Sequence, residues 1–99
     1  MPIFQTISSA YIEELIRKLR PKLFIPNVYI TKEGNLGNEM YFIVKGKLSV
    51  IIEGLHINTL QDGQFFGEIA LLLKSSRRTA SVKTKSFVDL FYLTKWDFD

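Results

Sequence analysis

Two periodicities divide the chain. In the first twenty residues the apolar positions Tyr11, Ile12, Leu15, Ile16 and Leu19 recur at helical spacing, with Ser8 and Ser9 ahead of them as N-cap candidates. Glu13 and Glu14 come early and Arg17, Lys18 and Arg20 late, the order that a helix dipole favours, and Pro21 stops the run. This predicts an amphipathic helix of about three turns. From Lys22 onward the pattern changes to short apolar stretches between turn residues. Leu23–Ile25 is closed by Pro26-Asn27, Val28–Thr31 follows, and residues 33–38 form a loop rich in Gly and Asn. Met40–Val44 and Leu48–Ile52 flank Lys45-Gly46-Lys47, a tight hairpin, and Glu53-Gly54 leads into His56–Leu60. After Asp62-Gly63, the run Ile69–Leu73 has room for one or two helical turns, and Thr79–Lys83 and Phe87–Leu93 read as the last strands. Thr94-Lys95-Trp96-Asp97 has capping-box spacing, with Thr94 set to cap a helix from Lys95.

Many short strands at this spacing predict a sandwich or barrel. With a helix before them and a short one inside, the expected fold is mainly β: a jelly roll flanked by helices. Ninety-nine residues, 46% of them hydrophobic and 23% charged, make one small domain with a real core. Cysteine is absent, so disulfides, thiolate metal sites and cysteine nucleophiles are excluded. No apolar run has the length of a membrane span. The net charge of +3 comes from Lys and Arg scattered singly or in pairs, a solvated surface rather than a nucleic-acid stripe.

The chemistry concentrates between Phe65 and Val82, FFGEIALLLKSSRRTASV. Gly67 removes a side chain where backbone must come close to something. Glu68 heads the short helical run, whose first N–H groups lack internal partners and suit an anion. Arg78 adds a planar, permanently charged fork of donors that matches a phosphate, and Thr79 adds a hydroxyl. A carboxylate for a sugar hydroxyl beside a guanidinium for a phosphate describes a sugar-phosphate ligand. No catalytic set can be assembled: His56 is the only histidine, and neither a G-x-x-x-x-G-K-[ST] loop nor a G-x-S-x-G elbow is present. The chain reads as a binding module rather than an enzyme, with no metal and no cofactor. His56, in a hairpin, reads as a surface residue.

FFGEIALL followed by RRTASV resembles the phosphate-binding cassette of cyclic nucleotide-binding domains, most of all those of cyclic-nucleotide-gated and hyperpolarization-activated cation channels. The likeness extends to Met1-Pro2-Ile3-Phe4, Met40-Tyr41-Phe42-Ile43 and Leu90-Phe91-Tyr92-Leu93. It implies cAMP or cGMP as ligand. Arg78 then pairs with the cyclic phosphate, Glu68 accepts from the ribose 2′-hydroxyl, and Gly67 permits close approach. The Ala70 N–H faces the phosphate, and the Thr79 hydroxyl meets the phosphate or a guanine amino group. Val50 and Leu60 pack around the base. Asn58 departs from the apolar residue channel relatives often carry, and the Lys74-Ser75-Ser76 loop is one residue longer than theirs. In the family two more helices follow the roll and the last closes over the base, so residues 1–99 are expected to be a binding domain without its C-terminal lid helix. The implied parent is a tetrameric channel joined through flanking segments, with this domain on the cytosolic face of the membrane and no nucleic-acid partner. The rival readings are a regulatory domain of a cyclic-nucleotide-dependent kinase and a degenerate roll in which Glu68 and Arg78 form only a structural ion pair. Arg77 is expected to be a surface charge or a brace to a neighbouring acid. Phe65 and Phe66 are expected in the core. Modification at Arg78-Thr79-Ala80-Ser81 is disfavoured if Thr79 lies in a strand.

Overall fold

In a computed structural model of the chain, residues 9–68, 70 and 76–98 are described. Helix α1 (Ser9–Lys18) leads into strands β1 (Arg20–Phe24), β2 (Tyr29–Thr31), β3 (Glu39–Lys45), β4 (Leu48–Ile52), β5 (Leu55–Leu60) and β6 (Phe65–Phe66). Strands β7 (Ser81–Thr84) and β8 (Val88–Thr94) and a short helix α2 (Lys95–Phe98) follow. The strands form two antiparallel four-stranded sheets, ordered β1-β8-β3-β6 and β2-β7-β4-β5. This is the mainly β roll with flanking helices that the short strands between turn residues predict. Of the short helix expected over 69–73, only Ala70 is among the described residues, and it is helical.

Period-two alternation sorts the side chains of β3 to opposite faces. Tyr41 and Ile43 join Leu48, Phe66, Val82, Val88 and Leu90 in the main core between the sheets. Met40 points the other way, where with Leu93 it meets Leu15 of α1. Met40, Leu48, Leu90, Leu93 and Val88 are fully buried, each stabilising the fold by about 1.5–3 kcal/mol. The helix therefore rides on the outer face of the β3–β8 pair. Among the described side chains of α1, Leu15 and Leu19 reach that face, and Ile16, which the periodicity placed with them, is 58% exposed.

One connection and several boundaries differ from the sequence reading. Lys45-Gly46-Lys47 crosses from one sheet to the other instead of closing a hairpin, because β3 pairs with β6 and β8 and β4 with β5 and β7. Helix α1 begins at Ser9, so Glu13 and Glu14 lie beyond its first turn, although Arg17 and Lys18 do occupy the last. The chain is already in β1 at Arg20, and Pro21 lies within a strand instead of merely ending a helix. A proline without an N–H is tolerated there because β1 is a sheet edge. Phe65 and Phe66 pair with Phe42 and Tyr41 as a two-residue strand, too short to leave a periodic signal. Phe66 is buried in the core as expected, and Phe65 packs half-buried beside the α1 cluster. At the other end of the chain Thr94 caps α2, its Oγ1 accepting from the Asp97 N–H at 3.1 Å. Lys18 donates to the Asp97 carbonyl at 3.1 Å, which ties the two flanking helices together.

Candidate functional site

The β2–β3 loop and the segment before β7 are laced together by their backbones. The Gly34 N–H donates to the Arg78 carbonyl at 2.8 Å, the Arg78 N–H to the Asn35 carbonyl at 2.7 Å, and the Gly37 N–H to the Ser76 carbonyl at 3.1 Å. Arg77 reinforces the seam by donating from Nη1 to the Gly34 carbonyl at 2.8 Å. It is thus a brace, but to a carbonyl rather than to the neighbouring acid expected. The main chain of Arg78 is fixed from both sides.

Its side chain is fixed as well. Nη2 donates to the Glu39 carbonyl at 3.0 Å, and the guanidinium carbon lies 5.8 Å from the centre of the Tyr41 ring, in cation–π range. Tyr41 is itself stacked on Phe66, with centroids 4.9 Å apart and planes at 20°. Its hydroxyl lies 3.4 Å from Glu39 Oε1. Burial, with the Glu39 carboxylate nearby, pushes the Tyr41 phenol up to about 12, while Arg78 pulls the other way. The ring stays neutral and electron-rich beneath the cation. Gly67, with φ of 83°, sits against the same guanidinium: a Cβ there would lie 2.8 Å from Nη1 and 2.9 Å from the Glu39 carbonyl oxygen. The close approach for which Gly67 was singled out is, in this structure, to Arg78 and Glu39.

Among the described residues, Arg78 lines three cavities, one of them, of about 350 Å³, on the side of Asn35, Glu39 and Tyr41, and two on the side of Gly67 and Thr79. Of the latter two, one, of about 150 Å³, is lined by Gly67, Glu68, Ala70, Ser76, Arg77, Arg78 and Thr79. The other, of about 200 Å³, is lined by Gly67, Arg78 and Thr79 together with Thr31, Val50, Phe66, Ala80 and Val82. The first has the more polar lining and the second the more apolar one, and both are lined by Gly67, Arg78 and Thr79. Five expected residues, Gly67, Glu68, Ala70, Arg78 and Thr79, meet in the first, and Val50 lines the second. Leu60 lies elsewhere: it is paired with Leu48 across β4–β5 and packs on the core, outside both cavities. Asn58, opposite Val50, is exposed and accepts from the Thr59 N–H, so it forms no wall of either.

Two further expectations change. The Ala70 N–H donates to the Gly67 carbonyl at 3.1 Å, so it is an engaged donor and not a free one. Thr79 is exposed in a bend, because β7 begins only at Ser81, so strand burial does not shield it from modification. Ser81 is half-buried, with Oγ accepting from the Glu33 N–H. Glu68 and Arg78 form no ion pair, and Glu68 has no hydrogen-bond partner among the described residues. His56 is exposed on β5 and bridges Ser49 and Thr59 through its two ring nitrogens. Sequence reasoning missed Glu39, Gly37 and Tyr41 as neighbours of the cation. Glu39 acts through its carbonyl, which any residue possesses, so its identity carries no signal.

The family model for the cyclic nucleotide-binding domain matches residues 21–99, and the chain belongs to that family. Over 102 aligned positions it is 43% identical to the human cyclic nucleotide-gated channel alpha-3, covering 96% of this chain and 15% of the channel. A cone photoreceptor channel subunit alpha from chicken is 42% identical over the same span, covering 96% of this chain and 14% of the subunit. The rabbit potassium/sodium hyperpolarization-activated cyclic nucleotide-gated channel 4 is 39% identical across 100% of this chain and 8% of its own length. The chain thus spans a small fraction of the relatives it matches. Among the described residues no helix is long and apolar enough to cross a membrane.

Proposed function

We propose that the cleft around Arg78 binds cAMP or cGMP, and that occupancy is coupled to gating of a cation channel. The observation that carries this reading is the placement of Arg78. Arg78 lines both the more polar cavity with Glu68 and the more apolar cavity with Val50. A ligand carrying a phosphate, a sugar and a base would meet donors, a carboxylate and an apolar wall around this one residue. Arg78 takes the cyclic phosphate, Glu68 the ribose 2′-hydroxyl, Thr79 a phosphate oxygen or a guanine amino group, and Val50 the base; Gly67 and Ala70 shape the floor. Coupling requires that ligand bind one arrangement of the flanking helices more tightly than another. The Lys18–Asp97 bond joins α1 to α2, so the two flanking helices could move as one. In a parent of the relatives' size, flanking segments would carry the signal to a membrane pore and set a tetrameric assembly. This domain would then sit on the cytosolic side, without nucleic-acid contact.

Isothermal titration of the chain with cAMP, cGMP and adenosine tests the reading. Saturable one-to-one binding of a cyclic nucleotide, at least about tenfold tighter than adenosine, is expected from a charge-assisted phosphate contact. Equal affinity for adenosine would contradict it.

A further inference from the structure

We propose that Gly37 is a positioning residue for the ligand cation: its missing side chain is the slot in which the Arg78 side chain lies. The proposal rests on the cyclic-nucleotide reading of the cleft and deepens it. Gly37 is buried, and its φ is outside the left-handed region, so the backbone itself does not demand glycine. What demands it is space. A Cβ at Gly37 would lie 2.8 Å from Arg78 Cδ and closer still to Nε and Cζ, and these three nearest atoms all belong to Arg78. Gly67 differs, because its positive φ and its backbone neighbour Glu39 would strain any substitution whether or not Arg78 were there.

A methyl group at Gly37 meets the end of a flexible side chain, not a rigid wall. The guanidinium must leave while the fold can stay. On leaving, it gives up the 3.0 Å bond to the Glu39 carbonyl and its seat over Tyr41. Gly37 thus acts on the ligand only through Arg78, keeping the charge in the protein while deciding where it stands.

The test is a double-mutant cycle read by calorimetric titration with cAMP and cGMP, with adenosine as the uncharged control. Gly37→Ala is expected to weaken cyclic nucleotide binding at least about tenfold, approaching the loss in Arg78→Ala, while adenosine affinity changes less than about twofold. In an Arg78→Ala background the same substitution is expected to cost nothing further. Wild-type affinity in Gly37→Ala, or an equal loss with and without Arg78, would overturn the proposal and leave the cyclic-nucleotide reading intact. Identical binding by wild type and Arg78→Ala would instead defeat that reading. If Gly37→Ala does not fold, refolding on addition of Arg78→Ala supports the slot, and failure of both variants to fold refutes it.

Discussion

The two charged walls of the cleft are built differently. On one side Arg78 is held at its backbone by the β2–β3 loop and at its guanidinium by the Glu39 carbonyl, the Tyr41 ring and two glycines. On the other side Glu68 follows Gly67 with no partner for its carboxylate among the described residues. An arginine side chain carries about 2 kcal/mol of rotamer entropy. Here much of that is lost on folding, so little remains to be lost when an anion arrives. The carboxylate has no such preparation. On the proposed reading its ligand would have to order it, so the cation would contribute affinity at full strength and the acid selectivity at a discount.

This contrast can be broken by mutation, beginning with the largest effect. Arg78→Ala is expected to weaken cyclic nucleotide binding roughly ten- to a hundredfold, the range of about 1.5–3 kcal/mol for a charge-assisted bond. Arg78→Lys should recover only part of this, since a point charge replaces the fork and the seat over Tyr41. Titration calorimetry on both variants decides it. Glu68→Ala is expected to lose a similar or smaller factor, because part of its contribution is offset by the ordering it requires. A loss larger than that of Arg78→Ala would reverse the contrast. For Thr79→Val the expected loss is about two- to tenfold, the share of one neutral hydrogen bond; competition between cAMP and cGMP then shows which nucleotide the hydroxyl favours.

The smallest effect concerns stability. The Tyr41 phenol is raised in the folded state from 10.0 to about 12, above its value in the unfolded chain. Below pH 10 both states hold the proton, and this group contributes no pH dependence. Between 10 and about 12 the unfolded chain loses its proton first, so stability falls as pH rises through that window. Tyr41→Phe keeps the ring beneath Arg78 and removes this component. Melting curves across the alkaline range should therefore decline less steeply in the variant than in wild type, and parallel declines would speak against the assigned burial.

Much of this was legible in the sequence because it depends on local pattern. Short apolar stretches between turn residues marked most of the strands, and Thr94 with its downstream acid marked a helix start. Residue types alone drew attention to Gly67, Glu68, Arg78 and Thr79. What stayed hidden depends on which distant segments meet. Gly37 sits in a run of Gly and Asn that reads as turn chemistry, yet its role is steric and set by the Arg78 side chain. Tyr41 stood in a predicted strand with nothing to single it out, and only the fold puts a cation over its ring. Leu60 was assigned to the base by resemblance alone; in the structure it is half-buried, paired with Leu48 and packed against the core, as Val50 also is. Pro21 was misread because tolerance of proline in a strand depends on the strand being an edge, a property of the assembled sheet.

The central claim is that the cation stands ready before its ligand comes. Crystal structures of the chain grown without nucleotide and with cAMP test it most directly. The account expects the Arg78 guanidinium to occupy the same place in both, its 3.0 Å bond to the Glu39 carbonyl kept, with the cyclic phosphate added on its open edge. A guanidinium that is displaced in the free protein and swings in only with nucleotide, or a phosphate bound away from it, would contradict the account.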